Sequence, residues 1–290
     1  MRTFSAFLFS LSMTLVFSAC GESSLEPGNS YQADASQKSA CVKSEHNVTY
    51  SLDWNWGEAS PLESKPGWTV LNNLGYRIEV ETAYLVTYRT GLVTCEESDL
   101  LDTQRENSFG SCMASKWTWT LFSNAHAGHS FTDDDPVVIT TPHVENLAQP
   151  SSLSVGTVSV SDQKYCRLHY LIARAEREAV GLPNDVALVD SSLYVAGHYF
   201  LPDSDDPVSF SILSNAADGA LVDIGPATSG TDQTLGMIQV AFEGANISIV
   251  RQLDRMWDEV NFVSMSERDI ARQVVGNITS SVNLEIIRTP

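Results

Sequence analysis

The stretch LFSNAHAGHSFTDDDP, from Leu121 to Pro136, gathers His126, His129 and three consecutive aspartates, Asp133, Asp134 and Asp135, into sixteen residues. Imidazole nitrogens suit copper, zinc and nickel, and carboxylates add a harder oxygen ligand. His126 and His129 are three apart, so in a strand they would point to opposite faces. They converge only in a tight loop or a bulge, and Gly128 between them permits the backbone angles such a loop needs. His143, just beyond the strand-like VVITTP, and Asp133 complete the candidate ligand set. The chemistry implied is binding of copper or zinc for storage, delivery or sensing. The same composition of Ser, Asn, Gly and Asp also describes a solvated surface loop.

Other residues that could do chemistry carry less. Asp133, Asp134 and Asp135 precede Pro136, and Asp203, Asp205 and Asp206 precede Pro207. Calcium takes its oxygens from such loops, but neither has the distal glutamate of a calcium-binding loop, and Asp before Pro is common turn chemistry. Trp54 and Trp56 alternate, as do Trp117 and Trp119. Paired indoles can stack on sugars or flat ligands, and they also fill sandwich cores. His169 and His198 lie on strand-like segments; the alternation in CRLHYLIA turns His169 away from Cys166, beside Arg167, toward the surface. No GxSxG, HExxH, GxGxxG, Walker or EF-hand pattern is present, and nothing marks a serine as a nucleophile. The chain is therefore expected not to be an enzyme. The alternative to metal binding is an envelope module that recognises protein or glycan through loops or tryptophan faces.

The elements that must position these residues are mostly strands. NVTYSLDWNW alternates apolar and polar residues, and in YRIEVETAYLVTYRTGLVTC, Tyr76, Ile78 and Val80 share one face while Arg77, Glu79 and Glu81 share the other. PVVIT, SLSVGTVSVS, YCRLHYLIA, SSLYVAGHYF, VSFSIL and ANISIVRQL follow the same style, with turn residues between them. Many short strands of this kind predict a mainly β fold, an antiparallel β-sandwich. A C-terminal helix is predicted over SERDIARQVVGNITSSV, with Ser266 as its N-cap, Asp269 three residues on, and an apolar stripe of Ile270, Val274, Ile278 and Val282. DRMWDEV suggests a shorter helix that buries Met256, Trp257 and Val260, and LEII a last strand.

The N-terminal sequence addresses the compartment. Residues 1–19 have a positive Arg2, an apolar run from Phe4 to Phe17 and small residues at the end, the pattern of a secretory signal. Phe17-Ser18-Ala19-Cys20 resembles the lipobox of bacterial lipoproteins, which implies that Cys20 carries a lipid anchor. Residues 20–40 are rich in Ser, Gly, Ala, Gln and Glu and read as a flexible tether. Residues 41–290 are expected to form a single β-sandwich domain. Gly21, rather than Asp, at the second mature position, directly after Cys20, favours the outer membrane. With Cys20 lipidated, four cysteines remain, and an oxidising compartment pairs them. Three pairings are possible; Cys95 with Cys166 and Cys41 with Cys112 is favoured, because Cys95 and Cys166 each bound a strand-like run. Seventeen basic residues face 36 acidic ones, for a net charge of −19. Such a surface repels phosphate backbones, so nucleic acid is not an expected partner.

GYRIEVETAYLVTYRTGLVTC, AHAGHS, TPHVENL, VGTVSVSDQKYCRLHYLIARAE and RQLDRMWDEVNF, in that order, resemble a group of bacterial envelope lipoproteins. Their common form has Ala-His-Ala-His where this chain has Ala125-His126-Ala127-Gly128-His129. The strand pair GTVSV…YCRLHY is also similar to the β-sandwich of methanobactin-associated periplasmic copper-binding proteins. That resemblance implies a copper-handling sandwich. The inserted Gly128 departs from the alternating histidines and breaks their shared strand face.

Overall fold

A computed structural model describes residues 46–95, 137–160, 164–224, 238–239 and 244–288. The protein is mainly β, with two sheets and one C-terminal helix, as the strand periodicity predicts. Cys20, Cys41, Cys112, Trp117, Trp119, His126, His129 and Asp133 lie outside the described residues. No helix among the described residues is long and apolar enough to cross a membrane.

The smaller sheet runs β14-β13-β1-β7, from β1 (His46–Asn55), β7 (Leu153–Val160), β13 (Gly244–Gln252) and β14 (Asn283–Arg288). The alternation read in the first strand holds: Val48, Tyr50 and Leu52 are buried while their neighbours are not. Strand β1 pairs antiparallel with β7 but parallel with β13, with Asn47 opposite Gly244 and Trp54 opposite Arg251. That parallel pair departs from the otherwise antiparallel plan among the described strands.

The larger sheet is organised by β4 (Arg77–Thr94), eighteen residues long. One side of it meets β3 (Trp68–Leu71), β5 (Val138–Ile139) and β6 (His143–Asn146). The other meets β8 (Lys164–Ile172) and β9 (Leu193–Phe200); β2 (Ser60–Pro61) lies outside β3, β10 (Val208–Ser214) outside β9, and β11 (Asp218–Asp223) and β12 (Ile238–Gln239) outside β8. A bulge between Val80 and Thr82 resets the alternation along β4. Ile78 and Val80 face the main core before it, and Ala83 and Leu85 after it. Tyr84 and Val86 thereby turn outward onto a second, smaller apolar cluster with Val144, Ala175, Ala179 and Leu188. Cys95 and Cys166 form a disulfide at the end of the β4–β8 pairing, one of the two bridges expected.

Helix α1 (Glu267–Ser280) begins at Ser266, whose side chain accepts the Asp269 amide hydrogen and donates to the Asp269 carboxylate at 2.7 Å. Ile270, Val274 and Ile278 are buried as the stripe predicts, and Gly276 is carried inside the helix rather than ending it. DRMWDEV forms a single 3-10 turn, Asp254–Trp257, with Met256, Trp257 and Val260 fully buried. Buried Asn72 fastens this turn: its amide donates to the carbonyls of Trp257 and Val260, and its oxygen accepts from the amides of Leu74 and Tyr76.

Candidate functional site

Of the candidate metal ligands, only His143 lies among the described residues. It opens β6 opposite Thr87 of β4 and is 91% buried, since 9% of its surface is accessible. Its face is set by the pairing: Glu145, two residues on, lies opposite Leu85 of the main core. His143 and Glu145 therefore both face the space between the sheets. Burial lowers the His143 pKa, opposed by a backbone hydrogen bond at Val155 of β7 and by the Glu145 charge. The ring is thus held neutral, and its Nδ1 has no hydrogen-bond partner. A buried, neutral imidazole with an unused nitrogen is chemically a ligand or a cost in stability.

The sign of that cost can be tested. A histidine with a lowered folded pKa binds fewer protons when folded than when unfolded, so stability is lost as pH falls through the unfolded value near ~6.5. Chemical denaturation of the protein between pH 8 and 5 should show the midpoint decreasing toward acid. In His143→Gln that part of the slope should disappear. An unchanged slope would show that His143 does not titrate between these limits.

Beside His143 lies a polar cluster that the sequence reading did not single out. Glu145 and Arg251 are almost completely buried and form a bidentate ion pair, with both N···O distances 2.6 Å. Every guanidinium donor is used: Nη1 also reaches the Tyr170 hydroxyl at 3.0 Å, and Nε and Nη2 reach the Asp53 carbonyl at 3.3 Å. Glu145 is equally occupied. Its Oε1 also accepts from the Thr87 hydroxyl at 3.0 Å, and its Oε2 from the Trp54 indole N–H at 3.0 Å. The Trp54 ring lies 4.3 Å from the guanidinium carbon, because Trp54 and Arg251 are register partners on β1 and β13. Burial acts to lower the Arg251 pKa, but the Glu145 charge overrides it and holds the guanidinium protonated. Burial raises the Tyr170 pKa, so its hydroxyl stays neutral and hands its proton toward Thr87 at 3.1 Å.

This cluster spans the sandwich. Arg251 and Trp54 come from the small sheet; Glu145, Thr87 and Tyr170 come from the large one. With donors and acceptors already matched, it offers no vacant group to a substrate. Its chemistry is that of a clamp between the sheets. The signal that could have found it is weak: Glu145 and Arg251 are charged residues inside apolar strand runs, and nothing local says that they meet.

The remaining candidates do not converge on His143. His169 was expected at the surface but is buried to 9% exposure, because β4 and β11 flank it with Gly91 and Leu221 as register partners. His198 is half-buried, with Nδ1 3.4 Å from Glu81. The Asp205 side chain is fully exposed, 3.8 Å from Arg77. Among the described residues no three His, Cys, Asp or Glu stand close enough to hold a metal ion. The ligand set read from the sequence therefore has one described member, His143.

Comparison with known protein families, with curated proteins and with solved structures finds no match to the chain. The resemblance to envelope lipoproteins rests on the quoted motifs alone.

Proposed function

We propose that this is a lipid-anchored cell-envelope protein whose β-sandwich binds a transition metal, copper or zinc, for storage, delivery or sensing rather than catalysis. The observation that carries the metal reading is His143: a buried imidazole, held neutral, with Nδ1 unpartnered and its surroundings fixed by two sheets. Metal binding requires a neutral imidazole, and a hydrogen bond on the other ring nitrogen orients it. His126, His129 and Asp133 are the candidate companions, from the segment that precedes β5. The envelope reading is supported by the lipobox-like Phe17-Ser18-Ala19-Cys20, the tether after it, and the Cys95–Cys166 disulfide, which suits an oxidising compartment.

The test is metal content. The protein, exported to an oxidising periplasm and purified without a histidine tag, should carry near-stoichiometric copper or zinc by mass spectrometry. His143→Gln and the pair His126→Ala/His129→Ala should each lose it. Wild-type protein that stays metal-free after incubation with both ions would end the metal reading. The anchor is tested separately: Cys20→Ala should move the full-length chain from the membrane fraction to the soluble one.

A further inference from the structure

A surface groove is lined by residues other than His143 and its polar neighbours. The segment from Pro61 to Gly67 and the turn from Ala148 to Ser151 line an open groove of about 710 Å³, together with Trp56. That volume is within the range of small-molecule sites, roughly 300–1,000 Å³.

The groove is rigid. The Gly67 amide donates to the Ala148 carbonyl at 3.0 Å and ties the two walls together. The Leu62 amide closes the loop onto the Gly67 carbonyl at 3.0 Å, and the Trp68 indole donates to the Leu147 carbonyl at 2.8 Å. Gly67 has φ +120°, and a Cβ there would meet the Val80 carbonyl oxygen at 2.2 Å, so no larger residue fits. Pro61, Pro66 and Pro150 stiffen both walls further. A ligand binding here orders little of the protein.

The lining combines one flat apolar ring with many hydrogen-bonding groups. Trp56 is half-buried, packed on the core with part of its surface left to the groove. Around it stand Ser64, Lys65, Gln149 and Ser151. A shallow polar groove with a single aromatic platform matches a ligand that has apolar C–H faces, abundant hydroxyls and retained hydration: a sugar. A proline-rich peptide would need a groove lined by several aromatic rings. Charge narrows the class. Lys65 is already paired with Glu81, Glu63 adds a negative charge to the wall, and the whole chain carries −19, so acidic sugars are repelled. We infer that the Trp56 groove is a binding site for a short neutral oligosaccharide. This site stands independently of the metal reading, and losing metal would leave it intact.

The experiment uses the full chain in detergent on an array of neutral glycans, acidic glycans and proline-rich peptides, with hits measured by calorimetry. Neutral glycans should bind. Trp56→Ala should weaken them about tenfold or more, and Gln149→Ala by a smaller factor. Trp56→Phe keeps an aromatic platform, controls for folding, and should stay within about threefold of the wild type. Four results would each overturn the inference: no neutral glycan bound, hits confined to acidic glycans, a proline-rich peptide in the groove instead, or affinity indifferent to Trp56→Ala.

Discussion

Arg251→Met is expected to lower the unfolding free energy by about 3–5 kcal/mol, because it strands Glu145 as a buried carboxylate without its counter-charge. Whole-domain stabilities are usually about 5–15 kcal/mol, so one substitution removes a large share. The thermal midpoint should fall by roughly 10 °C for a chain of this size. The loss comes from what remains, not from what is removed. Glu145 would keep only the Trp54 and Thr87 hydrogen bonds, and Tyr170 would lose the donor at 3.0 Å. The double variant Glu145→Leu/Arg251→Met replaces the pair by apolar groups of similar reach, and it should recover more than half of the deficit. Urea denaturation of the wild type, both single variants and the double variant measures the coupling. A cost below about 1 kcal/mol for Arg251→Met would show that the pair is not the clamp its geometry describes.

The second large effect is the loss of the Cys95–Cys166 bridge, which closes a loop with a sequence separation of 71. Chain-entropy reasoning gives a stabilisation of about 4 kcal/mol for a loop of that length. Cys95→Ser/Cys166→Ser should therefore unfold at markedly lower denaturant, and the wild type in reductant should shift by a similar amount. The bridge joins the far ends of β4 and β8, so the unbridged chain should lose amide-exchange protection first near Val93, Thr94 and Tyr165. Equal midpoints with and without reductant would contradict the assignment.

Much of the fold was legible because it follows local periodicity. The alternation of β1, the two faces of β4 before its bulge, the Ser266 cap and the stripe of α1 are all written within a few residues of themselves. Strands β3, β6 and β11 were not legible as strands. Each is only four to six residues long, and β6 reads His-Val-Glu-Asn, in which the polar residues His143 and Glu145 are the ones turned inward. The bulge at Val80 and Thr82 also left no mark in the sequence, although past it Tyr84 and Val86 face the smaller cluster. His169 was misjudged because strand alternation says which way a side chain points, not whether a neighbouring strand covers it. The candidate site was legible only in part. His143 could be named from its residue type, but the Glu145–Arg251 pair joins positions 106 residues apart, and neither flanking sequence contains the other's address.

The parallel pairing of β1 with β13 has a consequence for biogenesis. Asn47 leaves the ribosome long before Gly244, its register partner, exists. At synthesis rates of about 5–20 residues per second, β1 waits on the order of 10 s for that neighbour. A topology dominated by such distant pairings has high contact order and folds slowly. Under the proposed envelope location, which requires the chain to cross a membrane unfolded, this delay is an advantage. The small sheet cannot be completed around its first strand until β13 has been made.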